Sequence, residues 1–285
     1  MPISTVLAAA TAELTRAGVS SARVDAELLA AAVLGVPRGR LALSSGFDYI
    51  DKARFDEFVS RRAAREPVQY LTGSAPFRYL DLMVGPGVFV PRPETELLAE
   101  AGIRELRARG GGTLVDLCSG SGAVALAVAH EVPAARVLAV ERSEASLDWL
   151  RANARRRAAA GDRPVEVVSG DVTDPDLLAE LAATVDAVLC NPPYVPLGTP
   201  VPAEVAGHDP ADAVFGGPDG LAVIRPVRER AAALLRPGGL LAVEHDESHA
   251  DAVADLLATG GRFTEVTGHQ DLTGRPRFVT ALRAG

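Results

Sequence analysis

Short apolar runs rich in β-branched residues alternate with amphipathic, helix-length stretches along the chain from residue 91 onwards. Such alternation is typical of parallel strands joined by helical crossovers, which cover both faces of the sheet. The sequence therefore predicts an α/β fold with a doubly wound, mostly parallel, seven-stranded sheet. The predicted parallel strands are 113–118, 136–141, 165–170, 187–191 and 240–245, followed by an antiparallel pair at 261–269 and 275–283.

The N-terminal part of the chain has a different pattern. Apolar residues recur at helical spacing through residues 6–33, and glycines follow where helices should end. Residues 77–90 alternate like a β-hairpin, with Gly85-Pro86-Gly87 near its end. We therefore predict a helical substrate-recognition domain at 1–74, a hairpin connector at 75–90 and the larger domain at 91–285.

Charge and cysteine content exclude several classes of protein. The 285 residues include 29 basic and 37 acidic side chains, and the net charge of -8 argues against affinity based on a nucleic-acid backbone. Cys118 and Cys190 have no metal-ligand spacing, so we expect neither a metal site nor a disulfide framework. The longest apolar run, 28–36, is too short to span a membrane, and no signal peptide is visible. We expect a cytoplasmic protein with no membrane partner.

A glycine-rich turn follows the first strand of the larger domain. The segment DLCSGSG (116–122) leads into a predicted helix, and its glycines let the backbone approach a ligand at the helix N-terminus. Glu141 ends the next strand, at the usual distance for a carboxylate that accepts ribose hydroxyls. A dinucleotide site and a tight turn without a ligand are the alternatives.

A second carboxylate, Asp171, ends the third strand and is expected over the same crevice. It either accepts a hydrogen bond from an exocyclic amine of adenine or serves as a turn residue before a helix predicted near 175–181. Asp174, directly before Pro175, is the better N-cap for that helix. Carboxylates at two neighbouring strand ends favour a neutral or cationic nucleoside ligand over a polyphosphate.

The fourth strand ends in the tetrapeptide Asn191-Pro192-Pro193-Tyr194. Since proline lacks an N–H and has a fixed φ, the turn presents acceptors, namely the Asn191 side-chain oxygen and the Pro192 carbonyl. These acceptors suit a planar –NH2 group, whose delocalised lone pair makes it a poor nucleophile until it is held and oriented. Tyr194 is expected to pack against the flat group and exclude water. A proline-rich turn with no catalytic role is the alternative.

Together these motifs resemble class I methyltransferases, which have a Rossmann-like fold, use S-adenosylmethionine and methylate amino or amide nitrogens. Four further segments narrow the resemblance to the release-factor glutamine methyltransferase family (PrmC/HemK), over nearly the whole chain. They are REPVQYLTG (65–73), FVPRPETELL (89–98), HDPADAVFGGPDGL (208–221) and DLTGRPRF (271–278).

The resemblance implies methyl transfer to the side-chain amide of the glutamine in the Gly-Gly-Gln motif of class I peptide-chain release factors. It implies S-adenosylhomocysteine as the product, no metal and no direct nucleic-acid contact. The residues implied for the cofactor are Cys118, Ser119, Gly120, Ser121, Gly122, Glu141, Asp171, Val172 and Asn191. Those implied for catalysis are Asn191, Pro192 and Tyr194, and those for the substrate are Asn191, Pro192, Pro193, Tyr194, Phe89, Arg92 and Glu94, with Pro93 in the same wall.

The sequence departs from the family pattern at two places. EHDESH (244–249) stands where many members carry Glu-x-Gly, and Val172 stands where an aromatic residue is sometimes found. Two other hypotheses remain. An adenine amino-methyltransferase acting on nucleic acid is disfavoured by the charge and by the lack of a target-recognition domain. A non-catalytic cofactor-binding scaffold is disfavoured by the intact motifs.

Two groups of polar residues lie outside these motifs. His208 and Asp209 follow the tetrapeptide and are candidates to accept the amide proton, although a solvated loop histidine is the simpler interpretation. Arg61, Arg62 and Arg65 are candidates to contact a protein partner if they share an exposed side.

Overall fold

The computed structural model describes residues 2–285, and the chain is divided into two compact units. The first, here called the helical unit, comprises the residues up to 74 together with 84–86 and 201–209. The second, the sheet unit, comprises residues 75–83, 87–200 and 210–285. The predicted domain limits at residues 74 and 90 stay a prediction.

Eleven α-helices and nine strands are present within residues 2–285. None of these helices is both long enough and apolar enough to cross a membrane. The helices are α1 (Ile3–Arg16), α2 (Ala22–Leu34), α3 (Tyr49–Ala63), α4 (Val68–Thr72), α5 (Thr95–Arg109), α6 (Ala123–Glu131), α7 (Glu144–Ala159), α8 (Ala203–His208), α9 (Ala211–Val214), α10 (Ile224–Leu234) and α11 (Ala250–Ala258). The strands are β1 (Ser74–Phe77), β2 (Leu80–Met83), β3 (Gly112–Leu117), β4 (Ala135–Glu141), β5 (Glu166–Ser169), β6 (Val185–Cys190), β7 (Leu235–Glu244), β8 (Phe263–Gln270) and β9 (Pro276–Arg283).

The helical unit has its own apolar core, formed by the facing sides of α1, α2 and α3. Leu29 and Phe55 are almost completely buried in it. The start of α3 is capped locally, because the Asp48 carboxylate accepts the backbone N–H of Asp51 at 2.8 Å. Helices α1, α2 and α3 therefore follow from the apolar periodicity of the sequence.

The sheet unit contains one seven-stranded sheet in the order β5-β4-β3-β6-β7-β9-β8. Strands β3 to β7 run parallel, while β9 is antiparallel to both β7 and β8. Leu117 at the end of β3 is paired with Val140 on one side and Cys190 on the other. The predicted doubly wound, mostly parallel sheet is confirmed. The strand order reverses between β3 and β6, which is where open α/β sheets place their ligand crevice.

The sheet is covered by helices on both faces, and its central strands are apolar for that reason. Leu114 and Val115 of β3 point into two different core clusters, and both are fully buried. Helix α6 is buried from Ala123 to Ala129, so it packs as a small-residue helix directly against the sheet. The strands β3, β4 and β6 that lead to the crevice are thus mostly buried, whereas β5 at the edge of the sheet is partly exposed.

The hairpin at the start of the sheet unit has bounds that differ from the prediction. It consists of β1 and β2, joined by a turn at Arg78 and Tyr79, and Gly85-Pro86-Gly87 lies beyond it. Arg78 adopts a positive φ of 51°, and its backbone N–H donates to the Glu96 carboxylate at 2.9 Å. This tertiary contact holds the turn at Arg78 and Tyr79, while Gly85-Pro86-Gly87 follows the end of the hairpin.

The helix predicted near 175–181 is absent. The chain makes successive turns there and only one short 3₁₀ segment, Ala179–Leu181. Leu178 has a positive φ of 55°, which is incompatible with a continuous right-handed helix. The Arg230 guanidinium donates to the carbonyls of Asp174 and Leu177 at 2.7 and 3.3 Å, so a side chain satisfies groups that a helix would have used.

Candidate active site

A cleft opens at the carboxyl ends of β3, β4, β5 and β6. The space within its lining, including the part that is open to solvent, is about 740 Å³. A smaller cavity of about 380 Å³ shares part of its wall. Of the residues predicted for the site, the cleft is lined by Phe89, Cys118, Gly120, Glu141, Asp171, Val172, Asn191 and Pro193. Ser119 and Ser121 line the smaller cavity, and Gly122, Pro192, Tyr194, Arg92 and Glu94 are in neither lining.

The glycine-rich loop is held in one conformation by its own backbone. The Gly122 N–H donates to the Ser119 carbonyl at 2.8 Å, and the Ser119 N–H donates to Val140 of β4 at 2.9 Å. Gly122 has a φ of 88°, and a Cβ there would lie 2.5 Å from a methyl carbon of Leu150. Only glycine satisfies both conditions at this position.

Asp116 lies beneath the glycine-rich loop and binds the first turn of α6. It is 2% exposed, and its carboxylate accepts the backbone N–H of Ala125, in the first turn of α6, at 3.1 Å. Burial raises the pKa of Asp116 to about 7, although hydrogen bonding from Ser119 and Ala125 opposes the rise. No separate role of Asp116 is evident from the sequence, and the structure shows that it caps the helix beneath the cleft.

Glu141 lines the cleft and binds the loop at the same time. One carboxylate oxygen accepts the Gly120 N–H at 2.9 Å, and the other accepts the N–H groups of Arg142 and Ser143, both at 2.8 Å. A carboxylate has about four acceptor positions. One position is therefore left for a ligand hydroxyl, and accepting two hydroxyls requires that one backbone bond give way.

Asp171 makes the turn that the sequence left open as an alternative. Its Oδ1 accepts both the N–H and the hydroxyl of Thr173 at 2.8 Å, and these bonds lower the pKa of Asp171. Oδ2 lies 3.4 Å from a guanidinium nitrogen of Arg142. The carboxylate and the buried side chain of Val172 both reach the cleft wall.

The tetrapeptide is attached to two buried partners beneath the cleft. Asn191 donates through Nδ2 to the Thr95 hydroxyl at 3.1 Å, which leaves its Oδ1 as an acceptor for another molecule. The Tyr194 hydroxyl donates to the Glu244 carboxylate at 3.1 Å. Burial raises the pKa of Tyr194 well above its usual value, so this hydroxyl is a structural donor and not a base.

The FVPRPETE segment supplies the wall opposite the tetrapeptide. The Phe89 ring lines both cavities, and the guanidinium of Arg92 lies over that ring at 4.7 Å from its centre. Arg92 therefore orients the aromatic wall. Glu94 is at the N-cap position of α5, where its side chain makes no capping hydrogen bond.

Comparison with known proteins identifies the family. A model described as the PrmC N-terminal domain matches residues 5–73, and one described as the methyltransferase small domain matches residues 81–199. The release factor glutamine methyltransferase of Mycolicibacterium smegmatis is 53% identical over 281 residues, which are 99% of this chain and 98% of that protein. The chain belongs to the release factor glutamine methyltransferase family.

A second member of this family, from Mycobacterium tuberculosis, is 47% identical over 283 residues, 97% of this chain and 90% of its own. Among solved structures, the 16S rRNA N2 G1207 methyltransferase of T. thermophilus, in complex with AdoMet and guanosine, has a TM-score of 0.52. It is 24% identical and covers 74% of this chain and 49% of that chain, so it supports the fold alone. The family membership establishes this protein as a methyltransferase and an enzyme.

The cleft fits S-adenosylmethionine, the methyl donor implied by the methyltransferase domain. Carboxylates from β4 and from the end of β5 line it, and they suit a cationic nucleoside better than a polyphosphate. Gly120 leaves open space where a Cβ would stand, so a ligand can approach the backbone closely. Within residues 2–285, no cluster of three or more His, Cys, Asp and Glu side chains is arranged to hold a metal ion.

Two residues that lie beneath the cleft were not predicted from the sequence. Thr95 and Glu244 are 3% and 1% exposed, and they contact the side chains of Asn191 and Tyr194, respectively. Thr95 is within the FVPRPETELL motif and Glu244 begins EHDESH, but neither pattern shows that they meet the tetrapeptide. Both belong to elements far from it in sequence.

The polar residues considered outside the motifs have structural partners. Asp209 is buried in the helical unit and accepts the hydroxyl of Tyr70 at 3.3 Å. Arg62 is 5% exposed and is paired with Asp25 at 2.7 Å. Arg62 is therefore not part of an exposed docking patch. Arg65 is paired with Glu204 and Arg61 with Glu66, both at 2.7 Å, so all three arginines make ion pairs within the chain.

Proposed function

We propose that the protein transfers the methyl group of S-adenosylmethionine to the side-chain amide nitrogen of the glutamine in the Gly-Gly-Gln motif of class I release factors. The observation that carries the proposal is the orientation of Asn191. Because its Nδ2 is bonded to Thr95, its Oδ1 faces outward as an acceptor. The names of the relatives, release factor glutamine methyltransferase, point to the same substrate.

The cofactor, when bound, supplies an electrophilic methyl group on a positively charged sulfur. We assign its methionine part to the loop from Cys118 to Gly122, its ribose to Glu141, and its adenine to Asp171 and Val172. Asn191 also faces it from the tetrapeptide. These residues bind and orient the donor, and Phe89, with Arg92 stacked on its ring, forms part of the cleft wall.

The substrate amide is positioned by the tetrapeptide. We assign the two N–H bonds of the glutamine –NH2 group to Asn191 Oδ1 and the Pro192 carbonyl. An amide held in this way presents its nitrogen in a fixed direction, which replaces much of the entropic cost of reaching the transition state. The N–C bond would form as the sulfur–methyl bond of the donor breaks, with S-adenosylhomocysteine as the leaving group; the nitrogen then becomes acidic, and its proton leaves to water without a strong base.

Pro193 and Tyr194 support the substrate site in this proposal, together with Phe89, Arg92 and Glu94 from the opposite wall. The partner is a release factor, which acts with the ribosome, and we therefore place the enzyme in the cytoplasm.

The two acceptors assigned to the substrate amide, Asn191 Oδ1 and the Pro192 carbonyl, are neutral. A neutral acceptor avoids a fixed carboxylate next to the cationic donor.

The substrate assignment is tested with S-adenosylmethionine that carries a labelled methyl group. The protein is incubated with a release-factor domain, with the same domain in which the glutamine of Gly-Gly-Gln is replaced by alanine, and with adenine-containing DNA and RNA. We expect label only in the unmodified domain. Equal labelling of the two protein domains would refute the glutamine assignment, and labelling of nucleic acid would favour an adenine amine.

A further inference from the structure

We propose that Gly216 and Gly220 are positioning residues that hold the tetrapeptide in the conformation that binds the substrate amide. The two residues are here called the glycine clamp. They lie in the segment HDPADAVFGGPDGL (208–221), and neither lines the cleft. The inference deepens the proposed function, on which its kinetic consequences rest.

The middle of the tetrapeptide has no backbone donors by which it could be held. Pro192 and Pro193 lack an N–H, so this part of the turn can form backbone hydrogen bonds only through its carbonyl groups. At its start the chain is fixed in the sheet, where Cys190 is paired with Leu117 and Val243. The other end of the turn is held by a contact of a different kind.

The residues that follow the tetrapeptide run beside the end of α9 and the chain after it. The Val195 N–H donates to the Val214 carbonyl at 3.0 Å, and the Gly216 N–H donates to the Val195 carbonyl at 2.9 Å. The Leu197 N–H donates to the Gly217 carbonyl, also at 2.9 Å. These hydrogen bonds bring residues 214–217 alongside the end of the tetrapeptide.

Both clamp residues are buried and lie against carbonyl groups of the tetrapeptide. A Cβ on Gly216 would stand 2.5 Å from the Pro193 carbonyl oxygen and 2.7 Å from the carbonyl oxygen of Gly220. A Cβ on Gly220, whose φ is 71°, would overlap the Tyr194 carbonyl oxygen and lie 2.6 Å from Cε1 of His249. Any side chain larger than hydrogen would therefore displace either the clamp or the carbonyls that it covers.

The turn that carries the clamp is fixed from its other side by the start of α10. Asp219 is paired with Arg225 at 2.5 Å, and its carboxylate also accepts the N–H of Leu221 at 3.1 Å. The Ala222 N–H donates to the Gly216 carbonyl at 2.9 Å. Helix α10 packs on the sheet in the same apolar cluster as β6. The clamp is therefore attached to the layer whose strand β6 leads into the tetrapeptide.

The position of the clamp determines where the substrate acceptors lie. The carbonyls of Pro193 and Tyr194 face the clamp, while Asn191 Oδ1 and the Pro192 carbonyl are the acceptors that we assign to the substrate. A shift of the clamp would move these acceptors with the turn, because the fixed φ of proline leaves the turn little freedom to adjust. A displacement of about 1 Å in an active site can reduce the rate about 100-fold.

The first test needs no substrate. Gly216→Ala, which adds a Cβ against the Pro193 carbonyl, is compared with Gly217→Ala. Gly217 has a φ of 85°, and its added Cβ would meet Ala222 at 2.7 Å and no part of the tetrapeptide within 4 Å. The side-chain ¹⁵N–¹H signals of Asn191, assigned with Asn191→Ala, are measured by NMR. We expect them to shift in Gly216→Ala and to stay unchanged in Gly217→Ala. Unchanged signals in Gly216→Ala, or equal shifts in both variants, would overturn the inference whatever the substrate is.

The second test is kinetic. In Gly216→Ala we expect kcat at saturating S-adenosylmethionine to fall roughly ten-fold or more, with the dissociation constant of the cofactor unchanged. Gly217→Ala should also lose stability towards urea but should keep its kcat. A decrease of kcat in both variants in proportion to their loss of stability would show a purely structural role and contradict the inference. Absence of labelling by the unmodified protein would instead refute the proposed function.

A further pair of variants tests Gly220 and relieves part of the overlap, so that folding is preserved. His249→Ala removes the ring that lies against Gly220, and no hydrogen bond of Nδ1 is lost, since this atom is buried without a partner among residues 2–285. In that background Gly220→Ala has room on the ring side and still meets the Tyr194 carbonyl. We expect His249→Ala alone to keep its kcat and the double variant to lose roughly ten-fold or more. A double variant with the kcat of His249→Ala would refute the role of Gly220.

Discussion

At the scale of single residues, the site depends on buried carboxyl groups that the sequence presents only as strand-end acidic residues. Asp116 and Glu244 are both almost completely buried, and burial raises the pKa of each to about 7. Asp116 caps α6 and Glu244 holds the tetrapeptide. Each keeps a backbone segment in place at the cost of burying an ionisable group.

Asp116 should make the stability of the protein depend on pH. Because its pKa in the folded protein is above that of an unfolded aspartate, folding takes up a proton between about pH 4 and 7, and this contribution to stability decreases as the pH rises. Asp116→Asn removes the titration while keeping an acceptor for Ala125. Its free energy of unfolding in urea should fall about 2 kcal/mol less between pH 5 and 8 than that of the unmodified protein.

The comparison isolates Asp116, because the contribution of Glu244 is the same in both proteins. Cofactor affinity at pH 8 serves as the control for an intact loop. If both proteins lost the same stability between pH 5 and 8, Asp116 would not titrate in this range.

Asn191 should be essential for transfer and dispensable for folding. Asn191→Ala removes the Oδ1 acceptor that we assign to the substrate amide. Methyl transfer should fall by roughly ten-fold or more, while cofactor binding measured by calorimetry is retained. Unchanged turnover would remove Asn191 from its assigned role, and loss of cofactor binding would show that it serves the cofactor instead.

At the scale of secondary-structure elements, the cofactor loop depends on the close packing of α6 and α7. Gly122 precedes α6 and faces Leu150 of α7 without room for a Cβ. Asn153 of α7 donates to the Ser121 carbonyl at 3.0 Å and to Met83 of β2 at 2.9 Å. One polar side chain thus joins the loop, the helix and the hairpin.

Gly122→Ala should therefore destabilise the loop more than a glycine-to-alanine change at a position where the positive φ is the only constraint. The added Cβ meets Leu150 at 2.5 Å in a backbone conformation that alanine disfavours. Gly161→Ala is the matched control, because Gly161 has a φ of 99° and nothing within 4 Å of an added Cβ. We expect about 1 kcal/mol of destabilisation in the control and about 2–4 kcal/mol with weaker cofactor binding in Gly122→Ala.

Thermal unfolding and cofactor calorimetry on both variants would measure this difference. Equal effects in the two variants would mean that backbone conformation, and not packing against α7, determines the requirement for glycine at position 122.

At the scale of the whole molecule, the chain crosses between its units more than once. Residues 201–209, which follow the tetrapeptide in sequence, belong to the helical unit. Within that unit Glu204 is paired with Arg62 at 2.9 Å and with Arg65 at 2.7 Å, and Arg62 is also paired with Asp25. A buried ion-pair network therefore attaches α8 to the N-terminal helices.

Arg62→Met should loosen this attachment. It leaves the buried Asp25 without its charged partner, while Glu204 keeps Arg65, and the loss should cost the helical unit about 3–5 kcal/mol. Lys52→Met, which breaks the exposed pair with Asp56, should cost less than about 1 kcal/mol. Hydrogen exchange of residues 201–209, together with urea unfolding, would measure the effect. Unchanged exchange in Arg62→Met would show that α8 is held without Arg62, since the Arg65–Glu204 pair remains in that variant.

Much of the fold could be predicted because it depends on local pattern. The run from Leu114 to Leu117 reads as a buried strand and the spacing of Leu7, Ala10 and Leu14 as a helix face, and both are observed. The hairpin predicted at 77–90 is present but formed by residues 74–83, and the helix predicted near 175–181 is absent. There, side chains from distant elements, Glu96 and Arg230, form hydrogen bonds that override the local turn and capping signals.

Some features of the candidate site could likewise be predicted from local sequence, and others could not. The sequence by itself determined the acceptors of the tetrapeptide, the glycine turn and the acidic strand ends, because each depends on residue type and spacing along one segment. Only the tertiary structure decided that Thr95 and Glu244 lie beneath Asn191 and Tyr194, and that Arg62 is buried. Those contacts join elements far apart in sequence, and their partners are determined by how the sheet and helices pack, which no local pattern encodes.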